Sequence, residues 1–163
     1  MGAAVAVCLD GKPVADLWGG WADPALERPW DRNTIVSTFS VSKAMVSTLG
    51  HRLADQGAFD FDRPVAEYWP AFGQNGKHRI PVRHLFDHRC ALCYVDRKLR
   101  PGDLYDWDLM IAAIEETAPN WEWGVRPAYL NMTYGYLLGG LFLYAFKKSF
   151  SSEIGRASCR ERV

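Results

Sequence analysis

Ser40 and Lys43, within Thr38-Phe39-Ser40-Val41-Ser42-Lys43-Ala44-Met45, place a hydroxyl and an amine three residues apart. On a helix that spacing sets both on one face, one turn apart. The helix itself must be buried along one side, because Met45, Val46, Leu49 and Leu53 recur at helical spacing and Gly57 follows the last turn. The fold is thereby constrained: this helix lies half in a core and aims its N-terminal end at a cleft. Serine is a weak nucleophile at neutral pH and needs a neighbouring base. A buried amine that has lost its charge supplies one without a histidine. A serine opening a helix is also a favoured cap, and the dipole there stabilises developing negative charge. Taken alone, the pattern more often marks a capped surface helix than a nucleophile.

The rest of the chain narrows the classes. Its 163 residues fit one domain with its own core. Nineteen basic and nineteen acidic residues cancel, which removes the electrostatic case for nucleic acid or an anionic membrane. Seven tryptophans point to a packed interior or an aromatic-lined cleft. Met1 to Val7 lacks the basic start of a signal peptide, and Ala6 replaces the Ser or Thr of a myristoylation site. The apolar run Tyr136 to Phe146 is too short to span a bilayer and contains Gly139-Gly140, so it reads as a buried core helix. A cytoplasmic protein without cofactor is expected.

Four scattered cysteines make no disulfide framework. Cys90-x-x-Cys93 follows His84 and His88, which are four apart on an expected helix. A Cys₂His₂ zinc cluster fits the residue types, but the order and tight spacing are wrong for finger patterns, and no thioredoxin-like context supports a redox pair. Structural residues and no metal are expected. Residues 154–163, Ile154 to Val163, break the aromatic style of the chain and resemble a translated sequencing-adapter oligonucleotide. They are set aside. The expectation is a partial domain over residues 1–153, an artefactual tail over 154–163, and a chain that is a fragment of something longer.

In order, Ala3 to Leu9 and Pro13 to Trp18 read as strands joined by Asp10-Gly11, a hairpin. Gly19-Gly20-Trp21 and Pro24 to Pro29 read as loop, and Thr34 to Phe39 as an extended stretch leading to Ser40. Phe59 to Phe72 holds one short helix. Pro81 suits the first residue of a helix running to His88. Asp106 to Thr117 is helical, with Trp107, Met110, Ile111 and Ile114 on its apolar side. Trp121 to Arg126 turns around Gly124. Asn131 caps a last helix in which Leu137, Leu138, Leu141, Phe142 and Ala145 are interior.

Five stretches carry a resemblance: Gly11 to Gly20, Phe39 to Met45, Gly57 to Val65, Ile80 to His88 and Tyr129 to Gly139. In this order they resemble the serine β-lactamase and penicillin-binding superfamily, in the class C-like branch that includes the family VIII carboxylesterases. The resemblance implies an α/β fold of the α+β type: the N-terminal part of a β-lactamase-like fold, with a hairpin from an incomplete antiparallel sheet plus a helical region. It implies a serine hydrolase acting on a small ester or β-lactam-like amide. Ser40 would carry the acyl group, and Lys43 would accept its proton or hold the field that lets another group do so. Tyr129 would shuttle a proton to the leaving group, with Lys43 pulling its pKa down. Asn131 would orient a substrate amide, and the Ser40 N–H would give half of an oxyanion hole.

Departures from the family are visible. Its third motif on a later strand is absent, Cys90-Ala91-Leu92 stands where a small residue and Gly-Leu are usual, and Trp123 replaces a proline before Gly124. An alanine at position 91 would be strained if the family glycine adopts positive φ. The fragment alone is expected to be inactive, and its hairpin to present an unpaired edge. The competing class is a non-catalytic homologue serving as scaffold or ligand-binding module.

Overall fold

Asp10 and Gly11 both take positive φ, 49° and 74°, which is what a two-residue turn matching the strand twist requires. They join β1 (Gly2–Leu9) to β2 (Lys12–Gly20) in an antiparallel pair, with Leu9 opposite Lys12 and Gly2 opposite Gly20. The register shifts between Val7 and Cys8, where Val14 is the extra residue beside Pro13. Proline offers no N–H to a ladder, and a bulge accommodates it. The second strand runs two residues beyond the expected Trp18, because Gly20 and Gly19 still pair with Gly2 and Ala3. Every residue from Ala3 to Leu9 is exposed.

The structure is a computed structural model and describes residues 1–23 and 25–146. The tail 154–163, with Cys159, lies outside the described residues. The chain divides into two compact units, Met1–Phe39 and a second beginning at Ser40. The first is the hairpin and its following loop, in which Trp21 bridges Pro29 and the Asp23 carboxylate accepts from Glu27 N–H and Arg28 Nε. Among the described residues the architecture is this two-stranded sheet plus five helices, a mixed helix-and-strand chain as expected.

The second unit is helical. It contains α1 (Ser42–Asp55), α2 (Val65–Tyr68), α3 (Arg83–Phe86), α4 (Trp107–Glu116) and α5 (Thr133–Phe146). Its core gathers on α5, whose Leu137, Leu138, Leu141 and Phe142 meet Leu49 and Leu53 of α1, Leu85 of α3, and Ile111 and Ile114 of α4. Aromatic rings finish it: Phe59 stacks on Phe142 with centroids 6.1 Å apart, and Phe61 meets Phe86 edge-on at 5.1 Å. Met45 was expected in the buried stripe of α1, but it stands in the first turn, before the helix reaches this core, and is 65% exposed.

Local chemistry sets the boundaries. Asp106 Oδ1 accepts the Leu109 N–H at 3.0 Å and starts α4. The expected helix from Pro81 to His88 shrinks to one turn, since Val65 N–H donates to Ile80 O and Val82 N–H to Arg63 O, tying that stretch into a bridge between Pro64 and Pro81. The segment Phe59 to Phe72 holds two short turns rather than one helix: α2 and a tighter turn from Pro70 to Gly73, separated by the buried Trp69. A proline is readily accepted at the start of that second turn and not in the interior of a longer helix.

Gly139 and Gly140 on α5 admit indole rings. A Cβ at Gly140 would stand 2.6 Å from the ring of Trp69, and one at Gly139 would press on Trp107. Lys77 is fully buried, and its Nζ donates to the carbonyls of Glu115 (2.9 Å) and Thr117 at the end of α4. Burial pushes this amine down to about 8, against the pull of the Glu115 and Asp96 carboxylates.

Two outcomes follow for stability. Gly140→Ala gains up to about 1 kcal/mol of helix propensity but overpacks a rigid indole at a cost of roughly 1–3 kcal/mol. Urea unfolding of the variant should therefore show a lower midpoint. For Lys77, the folded value near 8 lies below the ordinary 10.5, so the unfolded chain holds more protons in that window and stability rises with pH across it. The gain is complete above the unfolded value and is lost as pH falls through the folded one. Unfolding midpoints across this range should show the slope, and Lys77→Met should flatten it.

Candidate active site

Phe39, at a φ of 45°, turns the backbone sharply into a single tight turn, Phe39–Val41, and α1 begins only at Ser42. Ser40 is therefore not the cap of α1. That position falls to Val41 and has no side-chain cap. The Ser40 hydroxyl instead accepts a hydrogen bond from Lys43 Nζ at 3.3 Å. The two side chains meet as the three-residue spacing required, with the serine on the tight turn and the lysine in the first turn of α1.

Lys43 Nζ also donates to the backbone carbonyl of Asn131 at 3.3 Å and lies 4.8 Å from the ring centroid of Tyr129 and 5.6 Å from that of Tyr134. A hydroxyl oxygen, a carbonyl oxygen and two π faces form a set that suits a charged ammonium with three donors. The amine was expected to be buried, but it is only half-buried, because α1 reaches the core lower down. The Tyr129 phenol is half exposed and sits below the usual value for tyrosine, first because of the Ser40 hydroxyl beside it and then because of Lys43. Tyr134, behind it and buried, is pushed up by burial and by the charge on Tyr129. The structure thus brings Ser40, Lys43 and Tyr129 together.

Asn131 arrives differently. What reaches Lys43 is its main-chain carbonyl, and the residue lies two positions before α5, one short of the cap position it was expected to fill.

One neighbour escaped the sequence reading in this role. His88, just past α3 at a φ of 65°, accepts the Leu130 N–H on Nδ1 at 3.1 Å and packs its ring 5.2 Å from Tyr129 and 5.1 Å from Tyr134. Burial first, and Lys43 second, hold its pKa below the usual value, with Asp87 pulling the other way. Spacing gave no sign of this, since the partner lies 42 residues on.

The loop around it holds Tyr129's segment in place. Ala128 N–H donates to His88 O at 2.9 Å, Gly124 N–H to Arg89 O at 2.9 Å, and the buried Thr133 hydroxyl to Leu92 O at 2.6 Å. Ala91 takes a φ of 57° in this loop, the strained conformation anticipated for an alanine there.

The cysteine alternative finds no reactive thiol. Cys90 is buried and pushed up to about 12 by that burial, and Cys93 is also raised, its Sγ donating to Ala128 O at 3.5 Å. Reactive cysteines are low-pKa and accessible. His84 and His88 do not share a helical face, since α3 ends at Phe86. His84 turns to Asp87 at 3.3 Å. Among the described residues no group of three or more His, Cys, Asp or Glu is placed to hold a metal, and no helix is long and apolar enough to cross a membrane.

Comparison with known proteins follows the same lines. A family profile described as Beta-lactamase matches residues 1–160. The chain is 44% identical over 140 residues to the protein named Esterase/beta-lactamase LipL from Mycobacterium tuberculosis (strain ATCC 25618 / H37Rv), covering 86% of this chain and 32% of that relative. It superposes on the crystal structure of a family VIII carboxylesterase with a TM-score of 0.86 at 34% identity, covering 94% of this chain and 42% of the other. A penicillin-binding protein homologue from Caulobacter crescentus gives a TM-score of 0.92 at 32% identity, covering 99% and 43%. The fold is β-lactamase-like, and the chain spans a third to two-fifths of the length of these relatives.

The phenol provides a direct check on the site. Ser40→Ala removes the hydroxyl beside the Tyr129 phenol and should move its titration up toward the ordinary value. Lys43→Met, which removes both a hydrogen bond and a charge, should also move it up, and the double variant should restore it most fully. NMR titration of isotope-labelled tyrosine, assigned by Tyr129→Phe, reads the shifts.

Proposed function

Because the chain belongs to the Beta-lactamase family, we propose that it carries the nucleophilic half of a serine hydrolase that cleaves small esters through an acyl-enzyme on Ser40. The observation that supports this most is Lys43 Nζ donating at once to Ser40 Oγ and Asn131 O beside a phenol whose pKa the same serine depresses. In this reading Lys43 remains the ammonium, and the Tyr129 phenolate is the base. Of the two roles the sequence allowed the lysine, the set of acceptors around it favours holding the field.

The steps balance. The Tyr129 oxygen takes the proton from Ser40 Oγ as that oxygen bonds to the ester carbonyl carbon, and the carbonyl oxygen becomes an oxyanion facing the Ser40 N–H. The carbon–alkoxide bond then breaks, and the departing alkoxide receives the proton from Tyr129. Water reverses the sequence, giving up its proton to Tyr129 and releasing the acid, while Ser40 Oγ regains a hydrogen. Asn131 is assigned to the substrate side, where its amide would orient a substrate carbonyl. Val41, Met45 and Met132, sequence neighbours of Ser40, Lys43 and Asn131, are exposed apolar side chains, which suits a short acyl chain. The relative and the neighbour named for esterase activity support esters as the substrate class.

A fluorophosphonate probe on the full-length protein tests the assignment. Labelling should vanish in Ser40→Ala, fall by about 10²–10⁴-fold in Tyr129→Phe, the range of a lost proton-transfer group, and fall also in Lys43→Met, which removes the charge facing the phenol. Its rate should rise with pH through the titration of Tyr129, below the ordinary tyrosine range. Labelling that survives Ser40→Ala would end the nucleophile assignment, and a protein never labelled would be the non-catalytic homologue. Turnover of p-nitrophenyl butyrate should exceed that of nitrocefin; the reverse order would make the substrate a β-lactam.

A further inference from the structure

His88 stands outside the serine–lysine–tyrosine group yet touches it from two directions. Its Nδ1 accepts the N–H of Leu130 and its carbonyl accepts the N–H of Ala128, so one residue grips the backbone on both sides of Tyr129. Its imidazole contacts the rings of Tyr129 and of Tyr134 on α5. An Nδ1 that accepts a hydrogen bond carries no proton, so the ring is the neutral tautomer with hydrogen on Nε2. The charged groups around it are Lys43 from α1 and Asp87 from its own loop, with the Tyr129 and Tyr134 phenols on the remaining sides.

Such a grip matters because Tyr129 has little packing to hold it. The side chain is 54% exposed, while its proposed work needs the phenol oxygen at hydrogen-bond distance from Ser40. We propose that His88 is a positioning residue, which through the Leu130 N–H, the Ala128 N–H and the face of the Tyr129 ring sets where the phenol stands relative to Ser40 and Lys43. This rests on the reading of those three residues as a proton-transfer site. His88 itself touches no reacting atom.

Two variants separate positioning from mere support. Both tolerate the positive φ at this position: His88→Gly has no acceptor and no ring, and His88→Asn keeps an acceptor oxygen for the Leu130 N–H. With circular dichroism confirming the fold, His88→Gly should return the Tyr129 titration toward its ordinary value and slow Ser40-dependent labelling by about ten- to a hundred-fold, the effect of a displacement near 1 Å. His88→Asn should recover most of both. A folded His88→Gly whose Tyr129 titrates as in the wild type overturns the proposal. Nitrogen NMR of the wild-type imidazole adds a measurement that no folding defect can obscure: a proton found on Nδ1 also overturns it. If the wild type shows no Ser40-dependent labelling while the Tyr129 shift still disappears in His88→Gly, the hydrolase reading fails and the positioning of the phenol stands.

Discussion

One ammonium joins two stretches of chain that lie 88 residues apart, the entry to α1 and the segment before α5. Lys43 draws Ser40 Oγ, the Asn131 carbonyl and two tyrosine rings around a single charge. None of these contacts is strong in a partly exposed setting; a cation over a ring at such a site contributes on the order of 0.5–1 kcal/mol. Their value is directional. The charge faces a phenol, and a phenol facing a cation and a hydroxyl gives up its proton more readily than a free one. Everything chemical about the site depends on that juxtaposition.

The loop from His84 to Cys93 makes the juxtaposition durable. His84 O receives both Arg89 N–H and Cys90 N–H at 3.0 Å, and the chain then reverses through positive φ at His88 and Ala91. Left-handed backbone costs an alanine roughly 1–2 kcal/mol. A glycine would relieve that but would forgo a buried methyl worth about 0.8 kcal/mol and lose about 0.4–1 kcal/mol through the freer unfolded chain. The terms nearly cancel, so alanine is tolerable at position 91 although a glycine is usual in the family. Asn120 N–H donating to Ala91 O at 2.7 Å and Thr133 donating to Leu92 O keep the turn closed from outside.

What the sequence made legible was local. The two-residue turn at Asp10-Gly11, the helix α4 with its apolar side, the interior face of α5 and the meeting of Ser40 with Lys43 each follow from a pattern within one or two helical turns. The meeting of both with Tyr129 was accessible only through the order of motifs along a familiar family. Two readings went astray, and one partner stayed hidden, for one shared reason. Pro81 was read as the start of a longer helix, yet that stretch bonds to Arg63 and Val65; Met45 was placed inside by periodicity, yet the core begins a turn later; His88 was expected to be structural, but its partner is a backbone amide far along the chain. In each case a long-range contact outvoted a short-range preference, and such contacts leave no trace in spacing.

Two lysines show why the identity of a site lies in what an amine faces. Lys77 is fully buried and brought to about 8, close to where a general base works well. On titration grounds alone it would be the better candidate. Its acceptors, however, are the carbonyls of Glu115 and Thr117, groups with no proton to surrender. A neutral amine keeps two N–H bonds, enough to serve both carbonyls, so above about pH 8 it satisfies the end of α4 without burying a charge. Lys43 has a hydroxyl and a phenol within reach, and a proton can therefore move between its neighbours while its own charge stays. A shifted pKa marks burial; only a partner that can gain or lose a proton turns it into chemistry.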